Sequence, residues 1–135
     1  MDKVCVLDTS ALIAYIESEK GVDKVQELLL AAKKSRCQIY ISFISLMEVY
    51  YIVWQERGES AAKETIALVK LLPVEIVDSY ERLTLRAGWI KAHYRLSLAD
   101  ALVAATAIEN EAVVVHKDPE FEQVEGLRLL SLPYK

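Results

Sequence analysis

The chain has 135 residues, 53% hydrophobic and 27% charged, with a formal net charge of −4. That is the size of one globular domain with a substantial core, and the acidic balance, with a sequence pI near 5.2, argues against a broad basic surface that holds nucleic acid by phosphate contacts alone. Four glycines, three prolines and no low-complexity tract exclude a long linker or disordered tail, so a single domain over residues 1–135 is expected.

Short β-rich runs alternate with longer segments of helical period. Lys3 to Leu7 reads as a strand, and Ser10 to Glu17 as a helix with Leu12, Ile13 and Ile16 inward. Gly21 to Ser35 is an amphipathic helix, Ile39 to Ser42 a second strand, Ser45 to Arg57 a strongly apolar helix stopped near Gly58, and Ser60 to Leu72 a helix that ends before Pro73. Val74 to Val77 is the third strand, Ser79 to Arg95 and Ser97 to Glu111 are consecutive helices, and Ala112 to Val115 and Leu127 to Leu130 are the last strands. This alternation predicts an α/β domain with a mainly parallel sheet.

Cys37 to Gln55 mimics a membrane span, since Glu48 is its one charged residue. A charge at a span's centre costs roughly 2.5 to 3.5 kcal/mol, and a buried strand followed by a buried helix explains the segment better, so no membrane association is expected. Asp2 and Lys3 precede too short an apolar run for a secretory signal. Cys5 and Cys37 lack metal-type spacing and read as reduced thiols of a cytoplasmic protein.

Four acids stand beside apolar segments near expected helix starts: Asp8, Glu48, Asp100 and Asp118. In a parallel sheet, a helix that follows a strand, or precedes the next one, starts at the carboxyl edge, where ligands of open α/β sheets bind. Each acid also reads as structural. Ser45 with Glu48 and Ser97 with Asp100 fit capping boxes, Asp118 before Pro119 fits an N-cap with proline at the first helical position, and Asp8 can cap the helix behind it. Asp100, among Leu98, Ala99, Ala101 and Leu102, has no basic residue at helical spacing and needs a partner. Gathered together, such carboxylates repel, by about 4 kcal/mol for two charges roughly 4 Å apart at an effective dielectric of about 20, unless a cation lies between them. Oxygen-only ligands select Mg²⁺ or Mn²⁺, and hard ions held this way suit phosphodiester hydrolysis. Lys33, Lys34, Arg36, Arg57, Lys91 and Arg95 are candidate local cations for a nucleic acid.

The blocks Val6-Leu7-Asp8-Thr9-Ser10-Ala11-Leu12, Ser45-Leu46-Met47-Glu48-Val49, Leu96-Ser97-Leu98-Ala99-Asp100-Ala101-Leu102 and His116-Lys117-Asp118-Pro119-Glu120-Phe121 resemble, in order and spacing, those of PIN-domain nucleases. The resemblance spans essentially the whole chain. It implies a five-stranded parallel sheet and a metal-dependent endoribonuclease similar to the VapC-like toxins of toxin–antitoxin pairs. It further implies that Asp8, Asp100 and Asp118 ligate Mg²⁺ or Mn²⁺, that Glu48 ligates or orients a water, and that the hydroxyls of Thr9 and Ser10 support the ligands. Ser10 reads equally as a helix cap. A homodimer and a small antitoxin partner are also implied, and Tyr50 to Trp54, apolar almost all round, is either core or partner surface. His116 departs from the pattern, which carries a small hydroxyl residue there. Its imidazole either bonds a carboxylate or water, giving a pH-dependent site, or is a strand-end residue without catalytic duty.

Two other classes compete. A catalytically silent RNA- or protein-binding module of the same fold would keep the acids without turnover. An aspartyl-phosphate phosphatase or receiver places Asp8 similarly, but the phosphatase pattern wants a second Asp where Ser10 stands.

Overall fold

The computed structural model describes residues 3–134; Met1, Asp2 and Lys135, and with Asp2 part of the amino-terminal reading, lie outside the described residues. The elements run β1 (Lys3–Leu7), α1 (Thr9–Ile16), α2 (Val22–Lys33), β2 (Cys37–Ser42), α3 (Phe43–Arg57), α4 (Glu59–Leu71), β3 (Glu75–Val77), α5 (Glu81–His93), α6 (Leu98–Glu109), β4 (Val113–His116), a 3-10 turn (Pro119–Gln123) and β5 (Leu129–Ser131). The five strands form one sheet in the order β3-β2-β1-β4-β5, and every neighbouring pair is parallel. Central β1 pairs Cys5 with Ile39 of β2 on one side and with Val113 of β4 on the other.

Side-chain alternation along β1 splits the core into two layers. Cys5 and Leu7 pack with Leu12, Val25, Leu29, Val53 and Val69, from α1 to α4. Val6 packs on the opposite face with Leu83 and Ile90 of α5, Val103 and Ala104 of α6, and Phe121. Cys5, Val6 and Leu7 are fully buried, so the strand reads as an unbroken apolar run, as a strand covered on both faces must. Each fully buried Leu, Ile or Val adds roughly 1.5–3 kcal/mol.

The strand-then-helix reading of residues 37 to 55 holds, and among the described residues no helix is long and apolar enough to cross a membrane. Two details differ from expectation. Helix α3 begins at Phe43, capped by Ser42, whose hydroxyl accepts from Ile44 N at 3.3 Å; the apolar pair Phe43-Ile44 hides this start from pattern reading. The helix is also not buried all round. Val49 and Val53 are in the core, while Met47, Tyr51 and Trp54, three to four residues apart, form an exposed stripe.

Candidate functional site

All four acids meet in one cleft at the carboxyl edge of the sheet. It holds about 460 Å³ and is lined by Asp8, Glu48, Asp100 and Asp118 together with Glu19 and Lys117. Asp8 is the residue after β1 and the N-cap of α1: its Oδ2 accepts from Ser10 N at 3.2 Å and from Ser10 Oγ at 2.6 Å. Ser10 Oγ in turn accepts from Lys117 N at 2.9 Å, so one hydroxyl ties the start of α1 to the segment after β4. Both readings of Ser10 meet in that geometry, since it closes the cap and braces the acid.

Glu48 does not open α3. It is the helix's sixth residue, and the capping box expected between Ser45 and Glu48 is not made, because Ser42 is the cap. Ser45 and Glu48 share a helix face three residues apart, and both meet Thr9. Thr9 Oγ1 donates to Glu48 Oε1 at 2.6 Å and lies 2.9 Å from Ser45 Oγ. Asp100 stands in the first turn of α6, where Ser97 Oγ accepts from its backbone N at 3.1 Å; it is half-buried, and Leu98 beside it is 64% exposed. Asp118 caps the 3-10 turn, accepting from Glu120 N at 2.9 Å with Pro119 in the first position.

Capping and convergence are therefore compatible. A helix N-terminus favours an ionised carboxylate beside it, and three of the four acids stand at such ends. The gathering is nonetheless electrostatically costly. Burial pushes the Asp8 carboxyl up to about 6, against the Ser10 hydrogen bonds that favour its charge and with the charge of Glu48 adding to the rise. Burial, then the hydrogen bond to Asp118 and the charges of Asp8, Asp118 and Glu48, pushes Asp100 up to about 9.

Three contributors were not legible in the sequence. Glu120 presents an oxygen to a trio with Asp100 and Asp118 whose atoms all lie within 4.8 Å of one another; its place two residues after Asp118, in a turn opened by Pro119, is the signal that would have found it. Lys117 is the cation of the cleft. Its side chain is 5% exposed, its Nζ donates to Lys20 O at 3.0 Å and it lies 3.6 Å from Glu19 Oε1, pinning the loop between α1 and α2 against the end of β4. Gly21 lets that loop turn into α2: its φ is +95°, and a Cβ there would stand 3.0 Å from Leu132 Cβ.

His116 is fully buried, and its Nδ1 accepts from Asp118 N at 3.1 Å. It reaches the acids through the backbone that carries Asp118 and does not line the cleft. Burial holds its imidazole below the ordinary 6.5, outweighing the attraction of Asp118, so the ring is neutral at physiological pH. Of the candidate cations, Lys33, Lys34 and Arg36 end α2 or precede β2 at the amino edge of the sheet, opposite the cleft. Arg57 pairs with Glu17 at 3.2 Å. Lys91 and Arg95, at the end of α5 and beyond it, are on the cleft side.

The site suits a divalent cation on two structural grounds. Its ligand atoms are all carboxylate oxygens, the donor set of Mg²⁺ and Mn²⁺. Moreover, Asp8 Oδ1 is buried with no hydrogen-bond partner among the described residues, although a buried carboxylate oxygen ordinarily has one.

A family model described as PIN domain matches residues 5–127. No curated protein matches the chain significantly. Solved structures with the same fold include VapBC2 from Rickettsia felis bound to a DNA fragment from its promoter, with 22% identity over 96% of this chain and 99% of that one and a TM-score of 0.80. A toxin–antitoxin complex from Klebsiella pneumoniae matches at 20% identity over 94% and 96% of the two chains, TM-score 0.66. VapC20 from Mycobacterium tuberculosis, a sarcin-ricin loop cleaving toxin, matches at 19% identity over 97% and 100%, TM-score 0.72.

Proposed function

The chain belongs to the PIN domain family, and from that premise we propose that it is a Mg²⁺- or Mn²⁺-dependent endoribonuclease, the toxin of a toxin–antitoxin pair. The observation that carries this reading is the convergence of Asp8, Glu48, Asp100 and Asp118 on one cleft, with the buried Asp8 Oδ1 lacking a partner among the described residues.

In this reading Asp8, Asp100 and Asp118 hold the cation, and Glu120, close to the last two, is a further ligand candidate. These residues would hold a divalent ion, which would supply Lewis acidity to lower the pKa of a water and offset charge on the scissile phosphate. The chain's own residues provide the preorganisation. Ser10 fixes the Asp8 carboxylate and leaves Oδ1 toward the ligand. Thr9 fixes Glu48, the carboxylate that orients the attacking water and draws off its proton. His116, neutral, accepts from the Asp118 backbone and sets the angle at which that acid enters the cleft. Lys117 offsets part of the negative field without ligating. Water adds to phosphorus as Glu48 takes its proton, the bond to the leaving sugar oxygen breaks, that oxygen takes a proton from solvent, and the strand is cut without a covalent enzyme intermediate.

A small antitoxin and a second copy of the chain are the proposed protein partners. The apolar stripe Met47, Tyr51 and Trp54 on α3 supports such a partner surface, and the Klebsiella pneumoniae relative is a toxin–antitoxin complex. A monodisperse monomer in solution would count against the homodimer.

The test is incubation of varied RNAs with purified protein, with and without Mn²⁺ and with chelator. Cleavage that needs Mn²⁺, stops with chelator and disappears in Asp100→Asn is expected. Intact RNA throughout would favour the silent binding module, and cleavage indifferent to chelator would indicate a contaminant.

A further inference from the structure

The carboxylate cleft is a poor place for an RNA to be held. Asp8, Glu19, Glu48, Asp100 and Asp118 line it, and Lys117, its one cation, is already engaged by Glu19 and the Lys20 carbonyl. A polyanion must find positive charge outside. Directly beside the cleft, sharing Ser97 with it, lies a second open groove of about 640 Å³ lined by Lys91, His93, Tyr94 and Arg95, with Glu120 on its cleft side. The topology dictates this neighbourhood, because α6 must start at the carboxyl edge and the end of α5 leads straight into it.

Two features of the groove match one kind of ligand. Lys91 and Arg95 make no ion pair among the described residues. The backbone around Arg95 is held instead: its N donates to Gln123 Oε1 at 2.8 Å and its carbonyl accepts from Gln123 Nε2 at 3.1 Å, while its guanidinium has no partner among the described residues. At the edge of the groove, one turn apart on α5, the rings of Trp89 and His93 stack with centroids 4.0 Å apart and planes 16° from parallel; His93 lines the groove, while Trp89 lines the pocket that adjoins it through Tyr94. His93 Nδ1 lies 2.8 Å from Trp89 O, which fixes the pair, and Trp89 is 56% exposed. Cations beside an exposed aromatic platform are the means by which proteins hold unpaired nucleotides, since phosphates take the charges and a base with a free face takes the ring.

We propose that this groove is a binding site for single-stranded RNA flanking the scissile bond, with Lys91 and Arg95 on phosphates and the Trp89–His93 stack beneath an unpaired base. The proposal rests on the ribonuclease reading for the identity of the polyanion. A duplex would offer the platform no free base, so unpaired RNA is the substrate form selected. Leu85, 66% exposed and one turn before Trp89, extends the apolar surface, and a second copy of the chain is the competing occupant.

The experiment measures anisotropy of a labelled single-stranded RNA decamer in chelator, where binding occurs without cleavage, across a range of salt. Lys91→Ala with Arg95→Ala is expected to weaken binding and to reduce the slope of log affinity against log salt by about 1.4, at roughly 0.7 for each phosphate no longer neutralised. Trp89→Ala should weaken it by about 5-fold to about 150-fold, with Trp89→Phe recovering part of the affinity. In a Trp54→Phe background, RNA should quench Trp89 emission. Lys33→Ala with Lys34→Ala, on the opposite edge of the sheet, should bind as wild type does. If wild type cleaves RNA with Mn²⁺ but the groove variants bind normally, the groove proposal falls and the nuclease stands. Should wild type bind without ever cleaving while the variants bind weakly, the nuclease falls and the groove stands; no binding at all ends both. A dimer by sedimentation that Trp89→Ala converts to monomer, with RNA binding unchanged, assigns the surface to the second copy and overturns the proposal.

Discussion

Replacing Asp8 by Asn removes one charge from the cleft while keeping the shape of the side chain. Burial holds the Asp8 carboxyl at about 6, against an ordinary 3.8, a gap of about two pH units. A group whose folded pKa is raised above its unfolded value binds its proton more tightly when folded, so its contribution to stability is greatest below pH 4 and is lost as pH rises through about 6. At about 1.36 kcal/mol per unit, ionised Asp8 costs the metal-free fold about 3 kcal/mol at neutral pH. Asp100, at about 9, acts with the same sign and extends the loss toward alkaline pH. The Asn amide keeps an oxygen for the two Ser10 donors and places an NH₂ group among carboxylate acceptors. In chelator at pH 7.5, Asp8→Asn is therefore expected to melt about 9 to 15 °C above wild type, at roughly 3 to 5 °C per kcal/mol for a domain of this size. Mn²⁺ closes the gap: at 100 times its Kd it adds about 2.7 kcal/mol to wild type and little to the variant, so the two melt within about 1 to 2 °C of each other. Thermal melts in chelator and in Mn²⁺ from pH 4.5 to 8 read both effects. A variant that melts at or below wild type in chelator, or that gains as much from Mn²⁺, refutes the claim that the acids bear an electrostatic cost for a shared cation.

Thr9→Val keeps the shape at a buried position but frees Glu48 from its 2.6 Å hydrogen bond; loss of an outer hydrogen bond of this kind typically costs about 10- to 100-fold in metal affinity or activity, and Mn²⁺ titration with RNA cleavage rates checks it. His116, held below its ordinary pKa by burial, is expected to titrate below 6.5 in an NMR titration, and the fold loses stability as pH falls through 6.5, where the unfolded imidazole takes up its proton, down to the lower folded value; an ordinary titration near 6.5 would contradict the burial argument. Glu109 lies on α6 with a side chain 5% exposed, 3.1 Å from Arg82 Nε and 2.5 Å from Arg86 Nε of α5. Burial raises its pKa, but the two guanidiniums prevail and hold it below the usual range. Glu109→Gln should destabilise by about 1 kcal/mol, because Arg82 and Arg86 are exposed and solvent screens the pair, and urea melts would show the wild-type advantage shrinking as pH falls through the carboxylate range.

The fold is largely legible in the sequence because its signals are local. Val4 to Leu7 can only be a strand covered on both faces, and the alternation of strands with helical periods leaves a parallel α/β sheet as the natural arrangement. The misreadings have the same origin. Pattern alone starts α3 at Ser45, since Phe43-Ile44 is apolar in strand and helix alike, whereas Ser42 ends β2 and caps the helix at once. That displacement makes Glu48 look like a capping residue, while its real contact is Thr9, 39 residues away.

Sequence by itself settled which side chains carry charge, which segments are apolar and at what period, and so the order of elements and the edge of the sheet to which each acid belongs. It could not settle distance or field. Only the folded chain decided that Ser10 joins Asp8 to Lys117, that His116 acts through the Asp118 backbone and that Glu120 stands beside Asp100 and Asp118. The physical reason is that hydrogen bonds and Coulomb interactions depend on separations of a few ångströms between residues up to 107 positions apart, and local pattern carries no record of such separations.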